Sequence, residues 1–105
     1  MSEVSFTISY ESTKMIISFI KFILENTRDN MNIQECDKRL SEIENEMKKY
    51  KNKECDAVIE LCQKIKGNAY FCRLSTMLDL SNFIQAVKPI IDDEIFEKLI
   101  HETLN

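Results

Sequence analysis

At the amino terminus, hydrophobic and polar residues alternate with a period of two. Val4, Phe6, Ile8 and Tyr10 are interleaved with Ser5, Thr7 and Ser9. In β-favouring residues this period predicts a half-buried strand over 3–10, and a strand requires a neighbour. The next stretch admits two readings. Glu11 to Lys14 is polar, whereas Met15 to Leu24 is apolar nearly all round. It is either one buried helix over about 13–27, capped by Ser12, or a second strand over 14–18 followed by a helix from Phe19. A short apolar run is not resolved by period alone. The hairpin is preferred here because it supplies the first strand with its partner. Asn26 to Asn32 is a loop by composition.

Further along, the apolar period lengthens to that of a helix. Cys36, Leu40, Ile43, Met47 and Tyr50 fall at steps of four, three, four and three, and the residues between them are polar. This predicts a helix over 34–51 with one narrow apolar stripe. Glu44 and Lys48 form an i,i+4 pair in the favourable order. The stripe packs on the chain's own core or forms a coiled-coil seam with a partner, which makes Leu40, Ile43, Met47 and Tyr50 a candidate helix interface. Lys51 to Lys53 breaks the stripe. A helix over 54–66 follows, with Val58, Leu61, Cys62 and Ile65 on one face, and Gly67 suits the left-handed cap beyond it. Residues 69–74 are short, apolar and aromatic, and read as a small strand. Ser75 caps a helix over 76–87, with core face Met77, Leu80, Ile84 and Val87 and with Leu78 and Phe83 alongside. Pro89 ends it. Asp92 and Asp93 then cap a last helix that buries Ile95, Phe96, Leu99 and Ile100.

Composition narrows the chemistry. The chain has 105 residues, 44% of them hydrophobic, enough to bury the core of a single domain over 1–105. A net charge of -4 removes the broad cationic footprint of a nucleic-acid binder. The basic run Lys48 to Lys53 is embedded among Glu42, Glu44, Glu46, Glu54 and Asp56, and reads as a solvated helix end. One glycine, Gly67, excludes a glycine-rich phosphate loop. One histidine, His101, excludes a multi-histidine metal site and leaves no base for a histidine triad. The four cysteines, Cys36, Cys55, Cys62 and Cys72, show no Cys-x-x-Cys spacing. With no basic and apolar leader at the start, they are expected to be reduced and buried, in a cytoplasmic or nuclear protein. No run approaches the roughly 20 apolar residues of a membrane span. No catalytic residue, metal site or cofactor is expected.

From Cys55 onward the order is helix, short aromatic segment, helix, break and closing helix. Met77-Leu78-Asp79-Leu80-Ser81-Asn82-Phe83-Ile84 and then Ile90-Ile91-Asp92 carry the pattern. This resembles the second half of the BTB/POZ fold, as in BTB domains, Skp proteins and elongin C. Phe19 to Glu25 looks like the helix after that family's opening hairpin. The family's Asp-Gly turn is replaced here by Glu11-Ser12-Thr13, and Leu80 stands where a smaller residue is usual. Joined to the element reading, the resemblance implies an α+β, BTB/POZ-like domain that is predominantly helical: a short N-terminal strand or hairpin packed with about five helices.

The resemblance further implies a non-catalytic protein–protein interaction adaptor. Such an adaptor bridges a cullin-type scaffold and a substrate receptor, as a subunit of a ubiquitin ligase complex. In Skp and elongin C proteins an Asn-(Tyr/Phe) pair lies at the cullin contact, so Asn82 and Phe83 are the implied partner-binding residues. Partners would be other proteins, cullin-like or receptor-like helices, or a second copy, with no nucleic acid and no membrane. The alternative is a small all-helical regulatory or virus-type effector protein of unrelated fold, acting by protein binding or self-association.

Overall fold

The computed structural model describes residues 6–25, 33–66 and 76–104. Its elements are α1 (Tyr10–Glu25), α2 (Ile33–Lys48), α3 (Lys53–Ile65), α4 (Thr76–Val87), a 3-10 turn (Lys88–Ile90) and α5 (Asp93–Leu104). Among the described residues there is no strand, so the α+β fold with an amino-terminal hairpin is corrected to an all-helical one. The small strand over 69–74, the Gly67 and Ser75 caps, the loop over 26–32 and Cys72 lie outside the described residues.

The correction has a local cause. Ser9, not Ser12, caps the first helix: its Oγ accepts the Ser12 N–H at 3.1 Å. Its carbonyl accepts the Thr13 N–H at 2.9 Å, the first intrahelical bond. Everything from Tyr10 on is therefore helical, including the Glu11 to Thr13 segment read as a turn and the 14–18 segment read as a second strand. The alternation that suggested a first strand is nonetheless present in space. Ile8 is buried and Phe6 half-buried, while Thr7 and Ser9 are exposed. The Ile8 N–H donates to the Ile90 carbonyl at 2.8 Å, so the neighbour of this extended segment is the 3-10 turn.

α1 buries Ser12, Thr13, Ile16, Ile17, Phe19, Ile20 and Ile23 and packs mainly against α5 and α2. α2 and α3 form the most extensive helix pair, and α3 in turn packs on α4. The α2 stripe is filled from within: Cys36, Leu40, Ile43 and Met47 are all fully or almost fully buried in the single core cluster. The turn between α2 and α3 is tight. Lys51 adopts φ 49°, a left-handed conformation unusual for a residue with a Cβ. The Asn52 Oδ1 then accepts the Glu54 and Cys55 N–H groups at 2.8 and 3.3 Å and caps α3. α4 stops at Val87, and Pro89 sits in the 3-10 turn. The Asp92 Oδ1 accepts the Ile95 N–H at 3.1 Å and starts α5.

Candidate functional site

Two polar clusters lie between helices, and both are fully engaged in holding them together. At the amino-terminal end of α1, the Ser12 hydroxyl donates to Glu46 Oε2 at 2.6 Å and lies 2.8 Å from the Tyr50 hydroxyl. The Tyr50 hydroxyl also accepts the Ser9 N–H at 2.9 Å, and the Tyr50 ring stands edge-on to Phe6 at 5.6 Å. This ties the start of α1 to the end of α2. The hydrogen bond from Ser12, with a second from Lys49, holds the Glu46 carboxyl below its ordinary value despite partial burial.

The second cluster surrounds Glu44, which is buried between α2 and α3. Its oxygens accept from Gln63 Nε2 at 3.1 Å, Lys66 Nζ at 3.1 Å and Lys48 Nζ at 3.3 Å. Lys66 also donates to the Ser41 hydroxyl at 3.0 Å. The bonds from Gln63 and Lys66 lower the Glu44 carboxyl against the opposing effect of burial. A buried carboxylate with this many donors is a register device for two antiparallel helices.

The thiols are placed where they are chemically quiet. Cys36, Cys55 and Cys62 are all buried, and Cys55 and Cys62 are free thiols. Burial pushes Cys55 up to about 11 and Cys62 up to about 12, so both are protonated at neutral pH and are poor nucleophiles. His101 is exposed in the last turn of α5.

The residues expected to bind partners are distributed differently from the expectation. Asn82 is exposed on α4, but Phe83 is completely buried, with its ring edge-on to Phe19 at 5.3 Å and 64°. One side chain faces water and the other lies in the core, so they do not form a joint surface. Helical geometry explains the separation, because adjacent residues point about 100° apart. Leu40, Ile43 and Met47 are core residues packed within this chain, and Tyr50 belongs to the α1–α2 cluster. Of the two readings of this stripe, the described residues show the one in which it packs on the chain's own core.

One open groove among the described residues, of about 390 Å³, lies between Leu24 at the end of α1 and the middle of α4. Leu80 and Ile84 form its apolar wall, Leu24 its opposite lip, and Ser81 and Gln85 its rim. Leu24 is 38% exposed, one of two large hydrophobic side chains so displayed among the described residues. The lining carries no charge. The spacing of Leu80 and Ile84 had marked them for the core, and only Leu80 is buried. Leu24, the last residue of the apolar run, gave no sequence signal of its exposure. No family model, curated protein or solved structure matches the chain. Among the described residues, no helix is long and apolar enough to cross a membrane.

Proposed function

We propose that this chain is a small all-helical protein-binding module that works without catalysis and takes an apolar side chain of a partner protein into the α1–α4 groove. The observation that carries this reading is the open, uncharged groove with the exposed Leu24 at its lip. An apolar floor with a polar, uncharged rim suits the hydrophobic anchor of a helical partner better than it suits a charged small molecule. The quiet thiols and the structural engagement of the Ser12–Glu46 pair further support binding over group transfer. Of the two protein-binding readings that the sequence allowed, the regulatory or effector module of all-helical fold is favoured. The cullin-adaptor reading depended on an exposed aromatic anchor at Phe83, which is buried.

A photo-crosslinking residue placed at Gln85, on the groove rim, tests the proposal in cells that make the protein. A control places it at Asn45, on the exposed face of α2. The expected result is a discrete protein adduct from position 85 that is lost in Leu24→Glu and absent from position 45. The same adducts from both positions, or adducts indifferent to Leu24→Glu, would remove the groove as the binding site.

A further inference from the structure

α3 has a second stripe besides the one it buries. Cys55, Val58, Cys62 and Ile65 face the core, while Glu54, Ala57, Leu61 and Lys64 follow one position behind them at steps of three, four and three. Glu54, Ala57 and Lys64 are exposed, and Leu61 is half-buried. Around Ala57 and Leu61 lies a shallow, open depression whose polar edge is made by Glu60 and Gln63. No described element covers this strip.

The order of residues along the strip is self-complementary. Read from one end it is acid, small, large and base; read from the other it is base, large, small and acid. When two such helices lie antiparallel across a two-fold axis, Glu54 meets Lys64 of the second copy at both ends. Between them, Leu61 of each copy lies over Ala57 of the other, where the missing side-chain bulk leaves room for it. A two-fold contact needs one patch that fits itself, and this strip does so in charge at its ends and in shape at its middle. We infer that the exposed strip of α3 is a homodimer contact whose occupant is a second copy of this chain, paired antiparallel about residues 57–61.

The size of the strip sets the strength of the contact. From Glu54 to Lys64 a helix advances about 15 Å, so the strip buries less than the about 800 Å² per partner of a standard interface. A weak dimer follows, with a Kd on the order of 10 μM to 1 mM. Because the outer pairs are exposed ions, association also weakens as salt rises. This inference is independent of the α1–α4 groove, since the two surfaces share no residue.

Sedimentation equilibrium of the whole chain across that concentration range, at low and high salt, reads the association. Glu54→Lys and Lys64→Glu each replace two attractive pairs with two repulsive ones, and each is expected to raise the Kd about tenfold or more. The double variant Glu54→Lys/Lys64→Glu restores the pairing with its polarity reversed and is expected to recover most of the affinity. Ala57→Gln fills the space that Leu61 needs and is expected to abolish the dimer without any change of charge. All three sites are exposed, and a melting curve for each variant separates loss of association from loss of fold. A chain that stays monomeric throughout the range overturns the inference. So does a dimer that the charge reversals and Ala57→Gln leave unchanged.

Discussion

Phe83 decides between two pictures of this molecule, and its substitution has a calculable effect. Its side chain has no exposure and meets Phe19 edge-on at 5.3 Å, which joins α4 to α1 through the core. Phe83→Ala removes a fully buried ring and leaves a cavity, at a cost of about 3–5 kcal/mol. The edge-on pair accounts for about 0.5–1.5 kcal/mol of that. A domain of this size has a total stability of about 5–15 kcal/mol, so the variant loses a large fraction of it. At about 4–8 °C per kcal/mol, the midpoint of a far-ultraviolet circular dichroism melt should fall by roughly 12–40 °C. Asn82→Lys, one residue away but exposed, should change stability by about 0.5 kcal/mol or less. Combining Phe83→Ala with Phe19→Ala should destabilise by less than the sum of the single changes, with a coupling of about 1 kcal/mol. If Phe83→Ala instead melts within about 2 °C of the parent, the ring is not in the core, and the packing of α4 on α1 is wrong.

The remaining expectations concern the other buried groups. Cys36, Cys55 and Cys62 should resist alkylation at neutral pH until denaturant is added, after which mass spectrometry should show all four cysteines of the chain modified. Rapid native labelling at Cys62 would contradict its burial. Glu44 and Glu46 both titrate below the ordinary carboxyl value of 4.5, so the unfolded chain takes up their protons first. Their contribution to stability is therefore complete above about pH 5 and is lost as pH falls through 4.5 and below, and Glu44→Gln should flatten that acid slope in urea titrations. Ile43→Asp sets an unpaired carboxylate in the core beneath α2 and should cost several kcal/mol, about 3 or more; a parent-like melt would mean that the stripe is not packed. Lys51→Gly relieves a left-handed residue at φ 49° and should be neutral or stabilising by up to about 1 kcal/mol in chemical denaturation, whereas Lys51→Val should destabilise.

The helices from residue 33 on were legible because their apolar residues fall on one stripe each, and Pro89 and Asp92 mark the break between the last two. The 76–87 helix has the predicted limits, and Asp92 caps α5 as expected. The predicted 34–51 helix ends instead at Lys48, yet Tyr50 keeps its contact with the core from the turn beyond. The amino-terminal region was harder to read for a physical reason. α1 is flanked by α2 and α5 and is apolar around most of its circumference, so its apolar residues do not define a period. Its polar residues do: Lys14, Ser18, Lys21 and Glu25 fall at steps of four, three and four, and all are exposed. The period was carried by the residues that face water. The extended segment before α1 shows the converse. Alternation of Phe6, Thr7, Ile8 and Ser9 reports one buried and one exposed side, and a 3-10 turn supplied the neighbour that a strand was expected to supply. The groove was not legible at all. Leu24, Leu80 and Ile84 come from two helices far apart in sequence, and only their packing determines that Leu24 stays exposed.

Backbone ¹³Cα chemical shifts across Tyr10 to Glu25 test the all-helical fold most directly, because this is where a hairpin and a helix diverge along the same residues. An unbroken run of downfield, helical shifts from residue 10 to residue 25 is expected, together with strong sequential amide–amide contacts through residues 14–18. Upfield, extended shifts over 14–18, with cross-strand contacts to residues 6–9, would contradict the fold.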